Sequence, residues 1–410
     1  MFISLFWKEC RQIGKSIVYY AFLACLILFF MSQLGEESWN LAKPQPGQEE
    51  YGRTYSKDEQ TIMNRTLQNL SLDYVQNRYT TYPLGFYKKV VLGEKKMARM
   101  EEIMGELIGV SREELGVIID DYINEAESNT MEGVIVRPSV SPAEGLTYER
   151  FLELMEEIDG ILGGHSTYAP EVLKNGTIVS QTYEGALEEY RAIVEKDRYT
   201  GAYARLFCDY MGLMLSILPV FLAVARTLKD KRSKASQVIY SKQASSGCVI
   251  LSRYLAALFM TMLPVIAMAA AVHIQCGAAA VGAGIAVDHL AFVKYVGGWL
   301  FPTVAFTLAA GFLISELTES VWAVLIQGIF WFFSVFQSFG GLNGNFGLKF
   351  IPRFNDFGNT ELFFSQLPDL IVNRIFYGVL TAVLVLLCIG VYTWKRKGGS
   401  IRRGKLRRSR

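Results

Sequence analysis

Between residues 206 and 271 two apolar runs flank a basic loop, and this feature narrows the possible folds most. Residues 206–225 carry a single charge, Asp209, and residues 254–271 carry none. A helix of twenty residues rises about 30 Å, the thickness of a bilayer's hydrocarbon core. The backbone can satisfy its own polar groups in that core only as a helix or a closed barrel. The intervening loop, 226–253, holds seven Lys/Arg against one acid, Asp230. Short loops rich in Lys and Arg stay in the cytoplasm. The expectation is a pair of spans that present a basic platform to a cytoplasmic partner.

Charge is segregated along the rest of the 410-residue chain. The net charge is only +2, yet residues 35–203 carry 30 of the 39 acids and 17 of the 41 bases. In a chain that is 51% hydrophobic with a mean hydropathy of +0.23, an acidic block and a basic remainder suggest opposite faces of a bilayer. The six cysteines all lie outside the acidic block, so that block needs an apolar core and not a disulfide framework. Three histidines are too few for a His-rich metal site.

The head, 1–15, carries Lys8, Arg11 and Lys15, and 16–34 is uncharged. No small-x-small cleavage site follows Phe29-Phe30-Met31, so 16–34 reads as an uncleaved first span. Within 35–203, apolar periodicity predicts amphipathic helices over 57–76, 88–108, 113–127, 148–161 and 183–196. Ser111 and Glu114 have the spacing of a capping box, and 133–140 reads as a short extended piece. Further spans are expected over 206–225, 254–273, 296–314, 321–339 and 376–392. Pro219 predicts a kink in the second, compatible with gating and with static packing. Gly297, Gly298 and Pro302 allow a bend in the fourth. Residues 340–369 read as outer-surface pieces that end at Pro368. Most Lys/Arg outside the acidic block fall in the head, the 226–253 loop and the 395–410 tail. With those three inside, the chain closes as an all-α integral membrane protein. It has six spans, both termini in the cytoplasm, and one large, mainly helical extracytoplasmic domain over 35–203 between the first two spans. Residues 204–394 carry spans two to six.

The motifs of common chemistries are missing. Gly14-Lys15-Ser16 is the nearest approach to a phosphate loop, but Glu9 stands where its first Gly belongs and an apolar span follows. No HExxH and no GxSxG occurs. The pair His165-Ser166 reads as a turn between helices, and the run Glu153, Glu156, Glu157, Asp159 as a solvated helix face. Catalytic residues, a metal site and a bound cofactor are therefore not expected. Ionisable groups near the spans are few and cost about 2.5–3.5 kcal/mol each at mid-bilayer. Asp209 either lines an aqueous path or snorkels and pairs with Arg205, four residues back. Glu316 and Glu319 either meet a basic partner or cap the fifth helix. The tail 401–410 lacks the aromatic interleaving of a nucleic-acid binder, so anionic lipid is its expected partner, at about 1 kcal/mol per basic residue.

The loop from Lys229-Asp-Lys-Arg-Ser-Lys-Ala-Ser-Gln-Val-Ile-Tyr-Ser-Lys to Ser252-Arg-Tyr-Leu-Ala resembles that of ABC-2 type transporter permeases. The shared pattern is a charged start, a short Ser-containing segment and a return into the third span, with Gln243-Ala244 where the family often has Pro. Asn373-Arg374 before the last span and the order of spans are also similar, the latter to the sodium- and drug-efflux subgroup. The resemblance implies a coupling helix over about 233–247 that docks into a separate ATP-binding subunit, with Asp230, Ser236, Val238, Ile239, Tyr240, Ser241 and Lys242 at the contact. It implies ATP and Mg in that partner only, a homo- or heterodimer of permeases with the path between them, and re-entrant helices over 340–369. Asp209, Pro219, Glu316 and Glu319 become candidates for the path or its gating. The competing reading is a sensor or immunity protein whose outer domain binds a peptide or lipid. Five spans after that domain are more than a relay needs.

Overall fold

A computed structural model describes residues 1–35, 41–83, 87–129, 138–174, 176–233, 239–241, 243–339 and 344–399, with side chains at 125–129, 231 and 337–339 left aside. The chain forms two compact units, Met1–Lys43 with Leu187–Arg410, and Pro44–Ala186.

The first unit opens with α1 (Phe2–Gly14), which is amphipathic: Glu9, Cys10 and Ile13 are buried while Ile3 and Trp7 are exposed. Ser16 caps α2 (Ile17–Leu34), accepting from the Val18 amide at 3.3 Å. That helix has eighteen uncharged residues and a mean hydropathy of 2.1.

The Pro44–Ala186 unit has its own apolar core. It contains β1 (Arg53–Ser56), α3 (Glu59–Val75), β2 (Tyr79–Thr81), β3 (Lys88–Val90), α4 (Glu94–Ile108), α5 (Arg112–Asn129), α6 (Tyr148–Leu162), the short α7 (Pro170–Leu173) and β4 (Thr177–Ser180). Met100, Ile103 and Leu107 of α4 and Phe151, Leu154 and Ile158 of α6 recur at three- and four-residue intervals and are fully buried. Arg99 meets Glu157 and Arg150 meets Glu106, which fixes α4 and α6 as antiparallel neighbours. The capping box forms as the spacing predicts: the Glu114 amide donates to Ser111 Oγ at 3.3 Å, and the Ser111 amide donates to Glu114 Oε2 at 3.0 Å. Two antiparallel pairs, β1–β4 and β2–β3, were not expected, and Lys88–Val90 is a strand and not the start of α4. Strands of three or four residues are too short to show a period of two. The extended piece expected over 133–140 lies mostly outside the described residues.

The chain continues through α8 (Tyr183–Ala192) and a wide turn, Ile193–Asp197, into α9 (Thr200–Leu215), α10 (Pro219–Arg232), α11 (Ser246–Gly282), α12 (Ala291–Tyr295), a π-turn (Val296–Leu300), α13 (Phe301–Thr318), α14 (Trp322–Phe339) and α15 (Thr360–Arg396). Among the described residues five segments are long and apolar enough to cross a membrane: Ile17–Leu34, Thr200–Asp230, Ser246–Gly282, Ala291–Thr318 and Thr360–Arg396. The chain is a mostly helical, multi-pass membrane protein.

Several boundaries differ from expectation. The fifth expected span, 321–339, corresponds to α14, whose described apolar part, Trp322–Phe336, is shorter than the other five. Pro219 does not kink a continuous helix: α9 ends at Leu215, Ser216–Leu218 form a turn, and Pro219 opens α10. Proline lacks the N–H that a helix interior needs but suits its first turn. Pro368 was expected to end the outer pieces, yet it lies inside α15. The third span, expected over 254–273, lies within a longer helix, since α11 runs from Ser246 to Gly282. At the expected bend of the fourth span, the chain adopts the π-turn that contains Gly297 and Gly298.

Candidate functional site

Two belts of buried charge bound an uncharged interior in the first unit. In α15, 20 uncharged residues separate Arg374 from Lys395, and the 21 steps of helix from one to the other rise about 31 Å. In α12–α13, Lys294 and Glu316 bracket a similar uncharged length. Charges are tolerated where each run reaches its polar boundary, and only when paired or hydrogen-bonded if buried there.

One belt gathers Asp197, Arg205, Asp209, Arg353 and Arg374. Asp209, with no exposed surface, accepts from Arg353 Nε and Nη2 at 2.8 Å each and from the Phe354 amide at 2.7 Å. Of the two readings of Asp209, the pairing with Arg205 is corrected: the partner is Arg353. Arg205 Nη1 instead donates to Asp197 at 2.5 Å, Nη2 reaches the Phe357 and Gly358 carbonyls, and the guanidinium lies 4.6 Å from the Phe363 ring centroid. Thr360 Oγ1 closes the group on Asp197 at 2.7 Å. The i−4 rule finds a neighbour on the same helix face, but a bidentate Arg 144 residues away satisfies a buried carboxylate better.

The other belt joins the ends of five helices. Arg226 of α10 donates to Glu9 of α1 and, at 3.0 Å, to Asp230. Arg253 of α11 donates to Asp230 and lies 3.6 Å from Glu9. Lys395 of α15 donates to the Glu316 carbonyl of α13, approaches the Glu316 carboxylate at 3.8 Å and meets Glu319 at 3.0 Å. Glu316 and Glu319 thus share an internal basic partner. Glu319 is also the left-handed C-cap of α13, φ 52°. Against this belt sits the turn of the basic loop. Arg396 donates to the Tyr240 carbonyl at 2.9 Å and the Ala244 carbonyl at 2.5 Å, and the Tyr240 and Tyr392 rings lie 5.4 Å apart. A cavity of about 250 Å³ lies beneath, lined by Ile239, Tyr240, Asp230, Arg253, Glu316 and Lys395.

Of the expected contact residues, Ile239 and Tyr240 are half-buried over that cavity and Ser241 is exposed. Asp230 is drawn into the ion-pair belt and does not stand on an outer surface. Ser236, Val238 and Lys242 lie outside the described residues. No family model, curated protein or solved structure matches this chain. Its function rests on its own geometry.

The break before Pro219 is satisfied locally. The Ser216 carbonyl accepts from Gln327 Nε2 at 2.7 Å and Thr307 Oγ1 at 3.3 Å, and Trp331 Nε1 donates to the Leu213 carbonyl at 2.8 Å. Such rescue lets a helix stop inside an apolar layer. A larger cavity, about 570 Å³, lies at the first belt between the π-turn, the start of α9 and the first third of α15. Sequence reading missed Glu9, Arg226, Arg253, Arg353 and Lys395. The available signal was their position as charges flanking or facing long uncharged runs.

Proposed function

We propose that this chain is the membrane-spanning subunit of an ABC-2 type transporter, an exporter in a bacterial cell membrane driven by ATP hydrolysed in a separate subunit. The observation that carries the reading is the belt beneath the basic loop. The turn at Ile239–Tyr240 is tied through Arg396 and Tyr392 to α15, and one network of ion pairs links α1, α10 and α11 while Lys395 links α13 to α15. A displacement of that turn by a docked partner is passed to several helix ends at once, because packed, fully paired networks shift as units. The chain has no phosphate loop of its own, so the energy source is supplied by the partner.

In this reading α14 completes a sixth span, both termini and the 226–253 loop are cytoplasmic, and 35–203 is extracytoplasmic. Two permease copies frame the path, and the tail 395–410 adds attraction to anionic lipid. The test is co-purification of the tagged chain with an ATPase from its own host membrane. An ATPase is expected with the wild type and lost from a variant with Val238, Ile239 and Tyr240 changed to Asp, while gel filtration shows both chains folded. Absence of any ATPase from the wild type would overturn the reading and favour ligand sensing by the 35–203 segment.

A further inference from the structure

We infer that the 570 Å³ cavity at the first belt binds an amphipathic anion, an acidic headgroup (carboxylate or phosphate) on an aliphatic chain. Three observations converge there. The first is charge. Three ion pairs at the cavity neutralise themselves: Asp197 with Arg205, Asp288 with Lys294 at 2.8 Å, and Lys196 with Glu361. Arg374, only 6% exposed, has no carboxylate partner among the described residues. Its guanidinium is held by neutral acceptors: Nε and Nη2 both donate to Asn373 Oδ1, the former at 2.9 Å, and Nη1 donates to Thr303 Oγ1 at 2.7 Å. The remaining contacts to the Trp299, Phe350 and Lys349 carbonyls are long, 3.3–3.5 Å. Bonds of that length are weak, so each terminal nitrogen keeps one strong bond and has one N–H, held only by a long carbonyl contact, to give to a stronger acceptor. A buried cation without a counter-charge is costly in an apolar layer, and an anion in the adjoining cavity supplies one.

The second observation is the backbone. Val296–Leu300 is a π-turn, a widened segment that recurs at functional sites. Gly297 and Gly298 both line the cavity, and a Cβ built on either meets no atom within 4 Å. The third is the apolar wall, made by Trp299, Pro302, Phe364, Leu367, Ile371 and Ile375. The volume falls within the range of about 300–1,000 Å³ typical of small-molecule sites, which combine an apolar lining with a few placed polar groups. A chain against the apolar wall and an acidic head at Arg374 match this division. That such a molecule is the exported cargo rests on the transporter reading; that it binds does not.

The test uses the purified full-length chain in phosphatidylcholine nanodiscs, with binding to empty discs subtracted. The probes are radiolabelled dodecanoate, dodecyl phosphate and dodecyltrimethylammonium. Each anion is expected to bind at least tenfold tighter than the cation, and the ratio between the two anions identifies the preferred headgroup. Gly298→Leu grows into open space and is expected to weaken both anions at least tenfold with an unchanged melting temperature. Arg374→Gln is expected to erase the preference for anions. Equal binding of cation and anions by the wild type, or anion binding by Gly298→Leu equal to wild type, would overturn the site. Those two comparisons decide it even where Arg374→Gln fails to fold. No ATPase takes part, so loss of this site leaves the transporter reading standing, and the absence of an ATPase leaves the site standing.

Discussion

Asp209 has no exposed atom to give to water, and all its interactions are with Arg353 and the Phe354 amide. Removing one member of such a pair strands the other charge, at a cost of about 3–5 kcal/mol. Arg353→Met and Asp209→Leu singly should each lower the melting temperature of the purified protein sharply. The double variant should recover most of the loss; additive losses would show that the pair is not coupled. Asp73 behaves differently. It is partly buried, and burial pushes its carboxyl above the usual carboxylate range, while the Tyr168 hydroxyl, donating to it at 2.7 Å, draws it part of the way back. A raised folded-state pKa means that the folded state holds the proton more tightly. The stabilisation is therefore complete below the unfolded value, about 3.9, and is lost as pH rises through the folded one. Asp73→Asn keeps an acceptor for Tyr168 and removes the charge. It should raise the melting temperature at pH 7, with the gain shrinking toward pH 4; a gain independent of pH would contradict the burial argument. Asp209 was visible in the sequence as a lone acid in an apolar run, but its partner was not, because no local periodicity connects residues 144 positions apart.

At the scale of elements, the uncharged runs located the helices and misjudged their ends. Pro219 was legible as an interruption, since proline cannot donate from a helix interior. That the interruption is a full break depends on Gln327, Thr307 and Trp331, which arrive from other helices. Gln327→Leu leaves the Ser216 carbonyl with its longer bond alone and should cost about 1–3 kcal/mol, read as a lower melting temperature. Gly311 sets how closely α10 and α13 approach: a Cβ there would lie 2.9 Å from that of Ala223 and 3.1 Å from Val220 Cγ2. Gly311→Val should therefore destabilise by about 1–3 kcal/mol or more through overpacking, whereas Gly298→Val, in open space, should not. Equal melting temperatures for the two variants would contradict the close approach. No pattern in the sequence separates these glycines, because the difference lies in what the neighbouring helix places opposite each.

At the scale of the whole molecule, the run of uncharged residues between Arg374 and Lys395, about 31 Å of helix, matches one bilayer core. The segregation of charge along the chain announced this division, and the multi-pass helical architecture was legible from it. The belts themselves were not, since they are assembled from residues as far apart as Glu9 and Arg226. The proposed sidedness predicts that, in intact cells, Ser241→Cys and Gly399→Cys are shielded from a membrane-impermeant maleimide while Glu171→Cys reacts. Labelling of Ser241→Cys from outside would reverse the topology. The most direct measurement concerns what the loop touches. With a photo-cross-linking amino acid at Ser241, exposed beside the Ile239–Tyr240 turn, irradiation of membranes from the native host should join the chain to a polypeptide bearing a Walker-type phosphate loop. Cross-links confined to lipid or to the chain itself would contradict an ATPase docked at this loop.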